Sequence, residues 1–540
     1  MGFYGRHQTH ILFWPWSTAP FMVTTDLING TVSKSVENGS QFSASLYPRR
    51  IPQTLYDGRV VRHQNAGYMD VLAPNDWVFV FVDPQDGDKP EPLFMGLLDR
   101  ISNKRSISGD GMVQETVDIT ASGWEKVCKQ TQAISSPYLS EQINFVNLYA
   151  LGSAGQQPEL SDDSDLAPSR APGIGLFNDR LGRMIAFLMR LFLRTNTQPL
   201  FDNVVDDINR LLDDAGIVKD DEETEPAGNP ALFGQFELPQ VGIPLWYFVK
   251  LKFEELHQQV YVDPGMFLNQ VNQSLAQFID SFRNPLINEL IYDVRRTSDD
   301  GLQNLETRLE RGITGGYDSR AIETFVTAAS SVNDVFGALV EDIAPYMILR
   351  KRPLFTDELL DLEGPTIEED ELIQKDVGLS DGDLHNLTMI ETPGTRGNQM
   401  VRVVSGFPGL EVYKGETLEA IRRHGLRIYN DTAMAWPGDD PVPLPDPALT
   451  RDWDLRLHKA GLDNVKNYSG SLAVAKYYRQ LFLGGKVVTL PNKRSPAHYD
   501  DKPRVYYVDA LDYSFNNQNG SFSTKISVTR GQEANELIGY

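Results

Sequence analysis

At 540 residues, 41% hydrophobic and 23% charged, the chain has the composition of a globular protein too long for one core; about 100–200 residues per domain implies three or four units. Its 74 acidic against 50 basic residues, net −24, exclude the basic footprint of a nucleic-acid clamp, although an acidic wall suits a conduit past which nucleic acid slides. A single cysteine, Cys128, excludes an internal disulfide framework or a cysteine metal cluster.

The N-terminal MGFYGRHQTHILFWPWSTAP has a short apolar piece that Pro15 and Pro20 interrupt, so residues 1–25 read as an arm without a signal peptide. Residues 26–130 read as β structure. A turn at Asn38-Gly39 precedes alternating Phe42, Ala44 and Leu46. Residues 77–82 form a continuous apolar strand, 83–92 a Pro/Gly/Asp loop and 93–101 a further strand. Val113, Val117, Ile119 and Ala121 mark another. Short strands at regular spacing with turn signals predict a small barrel or sandwich. Cys128, in SGWEKVCKQ, falls on a short helix as buried filler.

From 131 to 283 the period changes to that of helices: LFNDRLGRMIAFLMRLFLR, then Val204, Ile208, Leu211 and Leu212, then Phe267, Val271, Leu275 and Ile279. The stretch 184–193 holds about ten residues with Arg190 inside, against the ~20 of a membrane span. It reads as a buried helix, with a helix docked on a partner or a membrane surface as the rival. Residues 219–230 are a charged loop. Strands return at 288–294, 345–355, 386–392 and 485–490, with helical patches near 318–340 and in SLAVAKYYRQLFLGG, where Gly484-Gly485 reads as a helix stop. At the end, Val505, Tyr507, Leu511, Tyr513 and Phe515 are placed on one face, with Asp509 out of character. NNQNG turns the chain, and Phe522, Thr524, Ile526 and Val528 share a face of the return strand.

Catalytic signatures are sparse. Of the eight histidines His7 and His10 form H-x-x-H, without the H-E-x-x-H of a zincin. GIGLFNDRLG has its third glycine misplaced for a dinucleotide turn. There is no P-loop and no G-x-S-x-G. Carboxylate pairs such as Asp162/Asp163, Asp213/Asp214 and Asp439/Asp440 are expected in a chain with 74 acids, and they read as solvated faces. Catalytic, cofactor-binding and metal residues are therefore assigned to none. The basic knots at Arg283, Arg295 and Arg296, and at Arg350, Lys351 and Arg352, fit either the acidic surfaces of neighbouring chains or local ion pairs.

Several segments in order carry a resemblance: N-P-x-x-N-E-L-x-x-D at 284–293, P-x-M-I-L-R-x-x-P-L at 345–354, GLSDGDLHNLTMIETP, RRHGLRIYNDTAMAW, and the terminal YYVDALDYSF…SFSTKISVTRGQ. With VENGSQFSASL…DWVFVFVD…LFMGLLDRIS…VDITASGW near the start, the order resembles the baseplate hub proteins of contractile-tailed bacteriophages and related contractile injection systems. It covers residues 25–130 and 270–535, with 131–270 as an insertion.

The resemblance implies an α+β chain with two small tail-tube-like antiparallel β-barrel domains, a helical insertion and a smaller α/β accessory region. Its boundaries are an arm at 1–25, a first barrel at 26–130, a mainly helical insertion at 131–283, a second barrel from 284–415 plus 485–535, and the accessory region at 416–484. It implies a virion protein of the tail baseplate, made in the host cytoplasm, without catalysis, cofactor or membrane span. A homotrimer would present six barrels to a hexameric tail tube protein and bind a central spike protein, with tape-measure or baseplate wedge proteins on other faces. DNA would cross the lumen during ejection without specific binding. The chain ends nine residues after Gly531, which implies a separate spike. Interface residues are expected among Arg283, Arg295, Arg350, Arg352, Tyr507, Tyr513 and Phe515, with the terminal hairpin completing the second barrel. The competing readings are a hub-like tip of a non-contractile tail; a virion-associated cell-wall or polysaccharide hydrolase, which needs a carboxylate pair in an aromatic cleft; and a carbohydrate-binding or adhesin module, which needs an exposed aromatic platform.

Overall fold

Alternating burial along strand after strand builds a long sheet from both ends of the chain. The computed structural model describes residues 7–15, 21–48, 55–56, 59–60, 67–84, 90–107, 113–130, 178–180, 250–253, 259–262, 274–282, 288–296, 343–382, 384–396, 399–404, 406–431, 435–438, 447–491 and 502–534. The N-terminal strands are β1 (Gln8–Trp14), β2 (Phe21–Val23), β3 (Leu27–Ser35), β4 (Gly39–Leu46), β5 (Trp77–Asp83), β6 (Glu91–Ile107) and β7 (Val113–Gly123). Val32, Phe42, Ala44, Leu46, Val78, Val80, Val82, Ile119 and Ala121 are buried at every second position, the period of a strand with one face on a core. The expected turn at Asn38-Gly39 joins β3 to β4, and Gly39 occupies the left-handed region at φ 79°. Residues 8–14, read as part of an arm, form β1. It pairs along its whole length with β5 and buries Ile11 and Phe13.

Downstream come β8 (Asn288–Arg296), β9 (Ile343–Lys351), β10 (Thr366–Glu368), β11 (Leu372–Leu379), β12 (Leu387–Arg396), β13 (Gln399–Val404), β14 (Ile428–Asp431), β15 (Tyr468–Val474), β16 (Lys486–Leu490), β17 (Arg504–Asn516) and β18 (Ser521–Glu533). The helices used below are α1 (Pro408–Val412), α2 (Lys414–His424) and α3 (Pro447–Asp463). One thirteen-stranded sheet runs β11-β15-β18-β17-β3-β4-β7-β6-β5-β1-β2, with β16 on β17 and β10 on β16. Its pairings are antiparallel except β10–β16. β8 and β9 form a second, three-stranded sheet with Lys250–Phe253, and β13-β12-β14 form another. A single cluster joins Phe42, Val80, Phe94 and Ile119 to Ile291, Tyr346, Leu472, Tyr513 and Ile526. The fold is mixed α+β and mostly antiparallel. Among the described residues the strand order is open, from β11 to β2, and closes no barrel.

The strands expected at 77–82, 93–101, 288–294 and 485–490 are present, and Cys128 is buried on the short helix Lys126–Gln130. Three readings are corrected. SLAVAKYYRQLFLGG is no helix: residues 471–474 belong to strand β15, whose Leu472 and Val474 alternate inward, and the segment up to Gly485 is turns. Tyr477 and Tyr478 pack on the core from those turns, so the apolar spacing that imitates a helix comes from two different structures. Residues 178–180, inside an expected helix, are a short strand paired with Gln259–Val262. The remaining helical readings between 184 and 271, the loop at 219–230 and the patch at 318–340 lie outside the described residues; the helix Leu275–Phe282 is present.

The third correction concerns the terminal hairpin. Val505 and Tyr507 do not share a face with Leu511, Tyr513 and Phe515. Tyr506 and Val508 join the main core, while Val505 and Tyr507 pack with Leu359, Val488 and Ala534 in a smaller one. The register of β17 against β18 slips between Val508 and Ala510, and an extra residue in a strand reverses which side every later side chain faces. Asp509 is that residue. On the return strand, Phe522, Thr524, Ile526 and Val528 are all buried, as expected.

Deleting Asp509 moves Leu511, Tyr513 and Phe515 out of the main core. At about 1.5–3 kcal/mol per large side chain, that consumes most of an ordinary stability of ~5–15 kcal/mol. The deletion is expected to abolish the cooperative thermal transition followed by circular dichroism. Asp509→Asn, which keeps the bulge, is expected to stay within about 1 kcal/mol of the parent.

Candidate functional site: the strand seam and its charges

β17 is shared between two partners. Its first part, Arg504 to Tyr507, pairs with β16, and its second part, Ala510 to Asn516, pairs with β3. The bulge lies at the change of partner, where Val36 N–H donates to the Asp509 carbonyl at 3.1 Å and Val508 N–H to the Gly485 carbonyl at 2.9 Å. At the far end Phe515 lies opposite Gly30. A Cβ on Gly30 would sit 2.6 Å from the Phe515 ring, so glycine there makes room for the aromatic. The hairpin thus welds the N-terminal strands to the C-terminal ones.

Beneath the weld, β8 lays a row of charge at a spacing of two. Asp293 takes Lys34 Nζ at 2.9 Å on one oxygen and Arg295 Nε at 3.0 Å on the other, and all three side chains are under a tenth exposed. Burial opposes ionisation of Asp293, but Lys34 and Arg295 outweigh it and hold the carboxyl below its ordinary range. The Asp293 carbonyl accepts Trp124 Nε1–H at 3.2 Å, and the Trp124 ring meets Tyr292 edge-on at 5.4 Å. Arg295 also lies over the Phe482 ring at 4.2 Å. Four residues earlier, Glu289 accepts Arg350 Nε at 2.5 Å and the Tyr507 hydroxyl at 2.7 Å. Arg350 also donates to the Gly484 carbonyl. Arg530, in the left-handed region at φ 54°, covers the Tyr507 ring at 4.2 Å and donates to the Pro353 carbonyl at 2.6 Å. Burial, then Glu289, pushes the Tyr507 phenol up. Burial, then Glu37, pushes Asp509 up.

The expected contact residues fall here. Arg295, Arg350 and Tyr507 make the bonds just described within the chain. Tyr513 is buried beside Phe522 and Tyr477 at 6.1 and 6.2 Å, and Phe515 is buried against Gly30. Arg352 is half-buried near Arg530 and Asp509. Arg283 lies outside the described residues. Lys34, Glu289, Asp293 and Arg530 were not singled out from the sequence. The usable signal was NELIYDVRR, where two acids and an arginine share the face of Ile291 in an otherwise apolar strand; a carboxylate there requires a cation.

A second polar cluster fastens α3 to α1 and α2. Asp454 Oδ2 accepts Gly409 N–H at 2.9 Å, while Oδ1 is buried without a partner among the described residues; burial raises this carboxyl to about 6. His458, one turn on, pairs its Nε2 with Thr417 Oγ1 at 2.8 Å and stacks on Tyr413. Burial, then His385, lowers its imidazole to about 4. Thr417, Asp454 and His458 are all closed off from solvent, so the trio is a clamp with no path for a substrate. Among the described residues no group of three or more His, Cys, Asp or Glu could hold a metal ion, and no helix is long and apolar enough to cross a membrane.

No protein-family model and no curated protein matches the chain. Three solved structures similar to it are all tail proteins. The prophage MuSo2 43 kDa tail protein from Shewanella oneidensis has a TM-score of 0.39 at 8% identity, covering 96% of each chain. The tail protein from Neisseria meningitidis MC58 has a TM-score of 0.38 at 6% identity, covering 98% of this chain and 97% of that one. Prophage tail protein gp18 from Listeria monocytogenes EGD-e has a TM-score of 0.35 at 9% identity, covering 96% and 94%. At these scores the likenesses carry no part of the functional reading.

Asp293→Asn leaves Lys34 and Arg295 buried with no anion between them, and is expected to cost about 3–5 kcal/mol in urea unfolding. The clamp predicts a pH signature of opposite signs. The Asp454 pKa is raised on folding, so its penalty is present above about pH 6 and is relieved as pH falls toward 3.8. The His458 pKa is lowered, so stability is lost as pH falls from 6.5 toward 4. Between pH 6.5 and 4 the two oppose each other. Asp454→Asn is expected to raise the melting temperature at pH 7 and to expose the unopposed His458 loss as a steady fall on acidification, read by calorimetry.

Proposed function

We propose that the chain is a structural component of a phage-type tail: a baseplate hub whose three copies form a ring joining a hexameric tail tube to a central spike around the DNA channel. The observation that supports this reading is the weld at β17. One chain holds its N-terminal and C-terminal strand sets side by side in a continuous sheet, so each copy offers two β units in fixed relation, and three copies offer six. The ordered resemblance of residues 25–130 and 270–535 to hub proteins points the same way. The buried salt bridges fit a part that must hold its shape under load, since a sheet fixed at both ends and clamped beneath resists shear between its halves.

The acidic balance suits the lumen: a wall of net negative charge repels phosphates and lets DNA pass without being held. The reading is non-enzymatic. A hub-like tip protein of a non-contractile tail shares this geometry and differs in its partners. Ring contacts fall to surfaces outside the buried networks, with half-buried Arg352 beside Pro353 the expected contact residue nearest to solvent.

Light scattering of the purified chain, alone and with a tube or spike protein, is expected to give three chain masses in at least one of the two conditions. A monomer in both would overturn the ring.

A further inference from the structure

The outer edge of β11 pairs with no strand among the described residues. It is eight residues long, and it carries two of the most exposed large apolar side chains described, Ile373 at 61% and Leu379 at 56%. An open edge of this length is a template for another strand. Gly378, with nothing within 4 Å of a Cβ placed on it, leaves room for a backbone to approach.

The two ends of this strand carry opposite charge. At its start stand exposed Glu368 and Asp370; Glu369 and Glu371 there are held by Lys375 and Lys476. At its end the following turn is tied to the end of α2 by Asp381, which meets Arg427 at 2.8 Å. That corner presents exposed Arg422 and Arg423 beside exposed Leu426 and Ile428. Two chains of net −24 repel, so copies approach where the charge is locally reversed. An antiparallel arrangement of two β11 strands does this twice, setting the acidic start of each copy against the basic end of the other.

We infer that β11 is a self-pairing edge, which adds the β11 of a second copy antiparallel across a two-fold axis. An axis normal to the sheet keeps both core faces on one side and so places residues of like parity opposite each other. The register that brings Ile373 opposite Leu379 of the second copy is centred on Asp376, which then faces its own counterpart. The neighbouring register, centred on Lys375, sets lysine against lysine and leaves Leu379 opposite Glu371 of the second copy. The contact is two-fold, so it is separate from a three-fold ring and does not rest on the hub reading; it covers an edge that would otherwise recruit strands at random.

The test is a disulfide at the axis. Native Cys128 is buried, so Asp376→Cys is expected to give a covalent dimer under mild oxidation, because the two residues facing each other at the axis lie within reach of a bond. Gly378→Cys, two residues off the axis, is expected to give none. In sedimentation velocity, Asp376→Asn removes a like-charge pair and should tighten self-association by about two- to fivefold. Ile373→Lys should weaken it about tenfold or more, with an unchanged circular dichroism spectrum as the fold control. Equal cross-linking at 376 and 378, or no dimer at either, would overturn the pairing. A trimer insensitive to all four substitutions would overturn it too while leaving the ring in place.

Discussion

Antiparallel pairing of β17 with β3 is the constraint on which the rest of the molecule depends. It joins strands whose residues lie almost 480 positions apart, and neither set of strands has its present edge without it. Such a pairing carries a large loop-closure cost and needs compensation from groups that the folded state alone brings together. Lys34, on β3, and Asp293, on β8, supply part of it. Their ion pair, closed by Arg295, is buried directly beneath the weld. A buried pair of this kind adds less net stability than its Coulomb energy implies, because desolvation offsets much of it. It does penalise every arrangement in which one partner is missing, and so selects this pairing over others.

Asp509 serves the same end in a different way. A strand with two successive partners must satisfy two cores on different sides, and strict alternation along thirteen residues cannot do so. One added residue reverses the parity, letting Tyr507 reach Glu289 on one side and Tyr513 reach the main core on the other. Arg530 repeats the device on the return strand: a register slip in β18 turns a long cation inward over Tyr507. Irregularities in this hairpin are therefore where it is most specific.

Much of the sheet was legible in the sequence because half-buried strands announce themselves. FVFV, VDIT and FSTKISV alternate or run apolar between turn residues, and each is a strand in the structure. The hairpin's turn and the inward face of β18 followed directly from Asn516–Gly520 and from the spacing of Phe522, Thr524, Ile526 and Val528. What stayed hidden depends on partners distant in sequence. The bulge at Asp509 showed as a break in the pattern, but whether a break is an exposed polar residue or an extra one is decided by the opposing strand. LAVAKYY read as a helix because Leu472 and Val474 on a strand and Tyr477 and Tyr478 in a turn fall by coincidence at helical intervals. At the seam, Arg295 and Arg350 stood out for their charge, while their carboxylate partners Asp293 and Glu289 did not, since buried acids are recognisable only beside the cations that neutralise them.

Hydrogen exchange followed by mass spectrometry tests most directly whether the weld makes the two ends of the chain one unit. The account predicts that amides of β3, β8 and β17 share the slowest exchange, and that Asp293→Asn accelerates all three together with β4 and β7. Protection of β3, β4 and β7 that is unaffected by Asp293→Asn, with faster exchange confined to β8 and β17, would contradict it and make the N-terminal strands a domain that folds by itself.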